Sequence, residues 1–114
     1  MTPSPVNESG VLTECAQETV ASHGHSSAKV RIALCADQRF RKSVSLMYSY
    51  GGFSFPISIE SESFATYAQA LDAGLQELLK HWHTPFASDP TSVHEELRQM
   101  REQVLARIRQ PSLF

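Results

Sequence analysis

Between Val44 and Ile59 the chain reads VSLMYSYGGFSFPISI, an alternation of apolar and polar residues interrupted only at Gly51-Gly52. Val44, Leu46, Tyr48 and Tyr50 share one parity before the glycines, and Phe53, Phe55, Ile57 and Ile59 share the other after them. Period-two alternation marks a strand with one buried face, and paired glycines supply the positive φ of a tight hairpin turn. A two-residue turn at Gly51-Gly52 pairs Tyr50 with Phe53, Tyr48 with Phe55, Leu46 with Ile57 and Val44 with Ile59. That register puts all eight large side chains on one side of a sheet. It also places Phe55 in the core, where Phe55→Asp would bury a charge and unfold the domain.

The flanking segments extend this hairpin into a domain. Lys29 to Ala36 reads as a preceding strand, with Val30, Ile32 and Leu34 alternating inward. For these to share a face with Val44 and Leu46, the connection through Asp37 needs three or five loop residues, or a bulge. Pro56 donates no hydrogen bond, which makes the third strand an edge there. Ser61 or Ser63 is placed to cap a helix in which Phe64, Ala68, Leu71, Leu75, Leu78 and Trp82 form one stripe. Gly74 within it predicts close approach of helix and sheet, and Thr84-Pro85 ends it. Ser92 and Glu95 have the spacing of a capping box for a second helix, with Val93, Leu97, Met100, Val104 and Ile108 as its apolar stripe. The expected fold class is α+β: a three-stranded antiparallel meander packed on one face by a helix, with a second C-terminal helix, in the order β-β-β-α-α.

A chain of 114 residues with 41% hydrophobic and 19% charged residues supports one core and no membrane-length apolar run. Residues 1–28 are rich in Ser, Thr and Pro and carry only Glu8, Glu14 and Glu18 as charges. They read as a mostly disordered acidic arm, with a short helix around Val11 to Val20 as the alternative. Deleting residues 1–24 is then expected to leave stability nearly unchanged. Residues 29–110 form the single domain, and 111–114 are a C-terminal tail. The start lacks the basic and apolar regions of a signal peptide. Two cysteines, Cys15 and Cys35, are too few for a disulfide framework, so a reducing cytoplasm is the expected compartment.

Motifs for catalysis are missing. His81-Trp82-His83 lies on the first helix, where residues two apart point away from each other, and His23-Gly24-His25 lies in the arm. His94-Glu95-Glu96-Leu97-Arg98 begins like a zinc-protease motif but has Arg98 where the second histidine must stand. No serine lies in a nucleophile elbow, and no glycine loop cradles phosphate. The expectation is no enzyme, no metal and no cofactor.

Charge is uneven. Residues 29–59 carry Lys29, Arg31, Arg39, Arg41 and Lys42 against Asp37 alone. The parity opposite the core shows Arg31, Arg41, Ser43, Ser45, Met47 and Ser49, a surface suited to phosphate contacts. Arg31, Arg39, Arg41, Lys42, Ser43 and Ser45 are therefore the candidate binding residues. The strand aromatics face the core in this register, which removes base stacking. A chain without catalytic motifs acts by binding, so the leading expectation is a protein-protein interaction, adaptor or inhibitor module with an unidentified protein partner. Its docking surfaces are an edge strand, the second helix and an apolar patch of Phe86, Leu113 and Phe114. Nucleic-acid binding by the basic sheet face is the alternative; no membrane contact is expected. The second helix packs on the core or pairs with a second copy as a homodimer, and the small size fits a mobile-element protein.

Two families share parts of this pattern. With a helix over Val11 to Val20, the order α-β-β-β-α resembles the double-stranded-RNA-binding domain, and Ala65, Ala68, Ala70 and Leu71 resemble its last helix. The lysines that contact phosphate at that helix start are replaced here by Ser63-Phe64-Ala65-Thr66, so the resemblance implies topology and not RNA binding. Separately, Gly52-Phe53-Ser54-Phe55-Pro56 followed by Tyr67-Ala68-Gln69-Ala70-Leu71 is similar to the sheet-then-helix half of HicB-type antitoxins, without that family's segment between strand and helix.

Overall fold

Val30, Ile32, Val44 and Leu46 alternate along adjacent strands and are all fully buried, forming the floor of the core. The computed structural model that shows this describes residues 11–12, 15–58 and 60–109. Six strands are present among them: β1 Val11–Leu12, β2 Ala16–His23, β3 Ser26–Leu34, β4 Phe40–Tyr48, β5 Gly51–Ser54 and β6 Ile57–Ser58. Two helices follow, α1 Tyr67–Lys80 and α2 Thr91–Arg109. Strands β2-β3-β4-β5 form one antiparallel meander, and β1 pairs with β6 in a separate ribbon. The fold is α+β, an antiparallel sheet packed by two helices.

Strands β3 and β4 pair Val30 with Val44 and Ala28 with Leu46 across a loop of five residues, Cys35 to Arg39, so the required odd-length connection is present. Strand β2 lies where the sequence suggests an arm or a short helix. It pairs along β3 from Ala16↔Ile32 to His23↔Ser26, with a bulge between Thr19 and Ala21. The bulge turns Val20 and Ala21 inward in succession, which destroys the alternation a strand otherwise displays. Glu18 adds to the disguise. It faces the helices, where Tyr67 Oη donates to it at 2.7 Å and Arg107 Nη2 at 3.2 Å. The ordered domain thus begins before Lys29, and the α-β-β-β-α order is not realised. Residues 1–10, Ile59 and the 111–114 tail lie outside the described residues.

The hairpin after β4 also differs from expectation. Its turn is Ser49-Tyr50, and Gly51 and Gly52 belong to β5, opposite Tyr48 and Met47. Glu96 of α2 draws the turn upstream by accepting from the Ser49 N–H at 3.2 Å and its hydroxyl at 2.8 Å. The slip is two residues, so parity survives and Phe53, opposite Leu46, packs against the core. Beyond Ser54 the chain leaves the sheet. Phe55 is 45% exposed and Tyr50 60%, while Ile57 packs with Ala33 and Cys35 on the face away from the helices. A charge at position 55 therefore enters no core.

Helix α1 starts later than expected. Phe40 and Phe64 exchange two backbone hydrogen bonds of 2.8 and 2.7 Å, which holds Phe64 in a bridge and leaves capping to Thr66. Thr66 Oγ1 accepts from the Gln69 N–H at 3.1 Å, and Gln69 Oε1 reaches back to the Ala65 N–H. Ala70, Gly74, Leu75 and Leu78 are its buried residues. A Cβ on Gly74 would stand 2.5 Å from Val30 Cγ1, so the missing side chain sets the close approach of helix and sheet. Helix α2 begins directly after Pro90, whose carbonyl accepts from the Val93 and His94 N–H groups. Glu95 does not close a capping box; it bonds Arg98 and Gln99, and these hold its carboxyl down to about 2. The stripe Val93, Leu97, Met100 and Val104 is buried in the chain's own core, with α2 lying against β2.

The Glu18–Tyr67–Arg107 contact has a pH consequence. Burial first, and the Glu18 bond second, push the Tyr67 phenol from its ordinary value of 10.0 up to about 12. A raised phenol pKa stabilises the fold below pH 10 and loses that contribution as pH rises through about 12. Alkaline absorbance titration should show one phenol ionising near pH 12 together with loss of structure. A Tyr67→Phe chain should lack that step.

Candidate functional site

The sheet face away from the helices gathers the three arginines named from sequence but not Lys42, and all three arginines are occupied. Residues 54–58 and 60–63 cross this face as a strap, and three arginines hold it. Arg31 Nη2 donates to Ser54 Oγ at 3.2 Å and to the Phe55 carbonyl. Arg39 Nε donates to Ser63 Oγ at 2.7 Å and Arg41 Nε to the Ser61 carbonyl at 3.2 Å. Arg41 also pairs with Asp37 at 3.1 Å and is only 12% exposed at its side chain. That guanidinium, followed by the Arg39 N–H, holds the Asp37 carboxyl below the usual carboxylate range. Lys42 lies opposite Ile32 on the helix side and pairs with Glu77 of α1. Ser43 is buried, and Ser45 is half-buried between Lys29 and Ser54. Ser49, expected on this face, is spent on Glu96. The structure therefore groups Arg31, Arg39 and Arg41 around the strap and separates Lys42 from them.

These bonds predict a stability role. Arg41→Ala leaves the Ser61 carbonyl without its side-chain donor and Asp37 with the Arg39 N–H but no ion pair, and Tm should fall by on the order of 5 °C. An unchanged melting curve would mean that the strap does not depend on this residue.

The opposite pattern holds at the end of the sheet where β4 turns into β5. Here rings from three separate segments converge. Phe53 and Phe55 pack at 5.4 Å, and Phe55 meets His81 edge-on at 6.5 Å. Tyr48 stacks on His83 at 5.3 Å, and His83 meets Phe86 at 6.0 Å. Tyr48, Gly52, Phe53 and His81 to Thr84 enclose a cleft of about 290 Å³ between the two groups of rings. Helix α1 ends at Lys80, so His81 is its C-cap and His83 lies beyond the helix rather than on it, and each contributes its ring to a different group. Among the described residues no group of three or more His, Cys, Asp or Glu is placed to hold a metal ion.

Comparison with family models, with curated proteins and with solved structures finds no match to this chain.

The site has to be read from its own geometry, and Phe86 is its most informative member. The residue is 68% exposed. Its backbone is fixed: Asp89 Oδ2 accepts from the Phe86 N–H at 2.9 Å, and the Phe86 carbonyl accepts from the Asp89 N–H at 3.0 Å. His94 Nε2 stands 3.0 Å from the same carbonyl, which can only accept, so that nitrogen carries the proton. A rigid loop here holds a large aromatic ring out in water. Beside it β5 is an edge of the four-stranded sheet. Sequence reading found Phe86 as exposed but missed Tyr50 and Phe55, because the assumed turn placed both in the core.

Proposed function

We propose that this chain is a non-enzymatic protein-binding module whose docking surface is the aromatic end built by Tyr50, Phe55 and Phe86 around the edge strand β5. The pinned, exposed ring of Phe86 carries this reading. An aromatic anchor already ordered in the free protein loses little conformational entropy when it enters a partner's pocket, and such anchors dominate interface energies. The edge strand adds main-chain donors and acceptors that an extended partner segment can use.

Nucleic-acid binding by Arg31, Arg39 and Arg41 requires those guanidinium groups to be free for phosphate, and all three already serve the strap. Pairing of two copies through α2 requires an apolar stripe that lies in the core. Among the described residues no helix is long and apolar enough to cross a membrane. We retain the cytoplasm as the proposed compartment, with Cys15 and Cys35 as free thiols.

The test is affinity capture with the whole chain and with Phe55→Ser/Phe86→Ser as baits. The double variant removes exposed rings and should melt like the parent, while partner recovery falls at least about thirtyfold. Equal recovery would refute the site. Fluorescence anisotropy against labelled single- and double-stranded DNA and RNA tests the alternative. Salt-sensitive binding that survives the Phe variant and is lost in Arg39→Ala would favour the basic sheet face.

A further inference from the structure

A second, larger cleft of about 510 Å³ opens where the end of α1 meets the first half of α2, behind the aromatic end. Its apolar wall is Leu79, Trp82, Pro85 and Leu97. Its other wall is a single α2 stripe, because His94, Arg98 and Arg101 recur at spacings of four and three and so share one helix face. His83 completes the rim, and no carboxylate lines the cleft. Glu95, which pairs with Arg98, stays outside the lining, and Arg101 forms no ion pair among the described residues. The Trp82 indole N–H is buried and has no hydrogen-bond acceptor among the described residues. A buried donor left unpaired is costly, and it is rare in native structures.

We infer that this cleft is a binding site for a small ring-bearing oxyanion, of the chemical class of aryl carboxylates and aryl phosphates. The flat apolar wall holds the ring, and the Arg98 and Arg101 guanidinium groups donate charge-assisted hydrogen bonds to the charged oxygens. The volume lies within the range of small-molecule sites. This inference is independent of the protein-binding surface, which uses the exposed rings of Tyr50, Phe55 and Phe86.

Trp82 is the only tryptophan of the chain; it lines this cleft and the smaller one, and the arginine variant below assigns an emission change to this cleft. The probes are phenyl phosphate, benzoate, benzyl alcohol and inorganic phosphate, titrated into the whole protein at constant ionic strength. Phenyl phosphate and benzoate should each change the emission saturably, binding at least about tenfold tighter than benzyl alcohol. Inorganic phosphate should bind more weakly than phenyl phosphate. Arg98→Gln/Arg101→Gln should weaken both aryl anions at least about tenfold with an unchanged melting curve, since both side chains are exposed. Should that variant fold poorly, Glu95→Gln provides the second arm: it frees Arg98 from its ion pair and should tighten phenyl phosphate several-fold. Benzyl alcohol binding as tightly as phenyl phosphate would overturn the anion site. Inorganic phosphate binding equally well would overturn the ring-bearing class. No saturable change with either aryl anion up to about 10 mM would overturn the inference altogether.

Discussion

A chain lacking residues 1–24 is expected not to fold. The deletion removes all of β2, the strand against which α2 lies, and with it the buried Val20 and Ala21. The faces of Val93, Leu97, Met100 and Val104 would lose their cover, and burying such side chains contributes roughly 1.5–3 kcal/mol each. Polar anchors go as well. Gln103 of α2 accepts from the Ser22 N–H at 2.9 Å and donates to the Ser22 carbonyl at 2.8 Å. Tyr67 and Arg107 both lose Glu18. The combined loss is comparable with the roughly 5–15 kcal/mol that holds a domain folded. Circular dichroism should show no cooperative melting transition in the truncated chain. A transition within a few degrees of the full chain would mean that α2 and the β3-β4-β5 sheet are stable without β2.

Gly52→Ala should be the most damaging single substitution in the hairpin. A Cβ at this position would stand 2.0 Å from the Leu46 carbonyl oxygen and 3.0 Å from Met47 Cα. Those are backbone atoms of a central strand, and neither can swing aside as a flexible side chain does. The backbone φ of +154° adds a conformation that residues with a Cβ avoid. The expected result is separation of β5 from β4, with a loss on the order of 2–4 kcal/mol. Gly51→Ala is the internal control. Its φ is also positive, at +158°, but the new methyl meets only the Tyr48 ring at 3.6 Å or more. It should cost clearly less. Thermal melts of the two variants decide the matter, and equal losses would show that backbone conformation, not the clash with Leu46, is what matters. Because Phe53 and Phe55 hang from β5, Gly52→Ala should also abolish partner capture.

Parts of the fold that depend on local alternation were legible in the sequence. Val30 and Ile32 alternate in phase with Val44 and Leu46, and the need for an odd-length loop follows from that phase alone. Gly74 likewise announced a close helix–sheet contact. Strand β2 was hidden because its bulge at Val20 interrupts the alternation and because Glu18 faces inward, where only distant partners satisfy it. The turn at Ser49-Tyr50 was hidden for a related reason. Local chemistry favours Gly51-Gly52 as the turn, but Glu96, far along the chain, binds Ser49 and settles the competition. The basic cluster shows the limit of charge counting. Arg31, Arg39 and Arg41 do gather on one face, yet the strap engages them through serine hydroxyls and backbone carbonyls, and the sequence does not disclose its path. The rings that converge at the sheet end come from three segments, and their meeting depends on the helix α1 ending beside the hairpin.

Amide hydrogen exchange of the protein, alone and with its captured partner, tests the central claim most directly. A partner docked on the aromatic end should protect the amides of residues 47–55 and 81–87 and leave the rest of the sheet unchanged. Protection confined to Lys29–Arg31 and Ser43–Ser45, with the aromatic end still exchanging freely, would place the partner on the basic face and contradict the account.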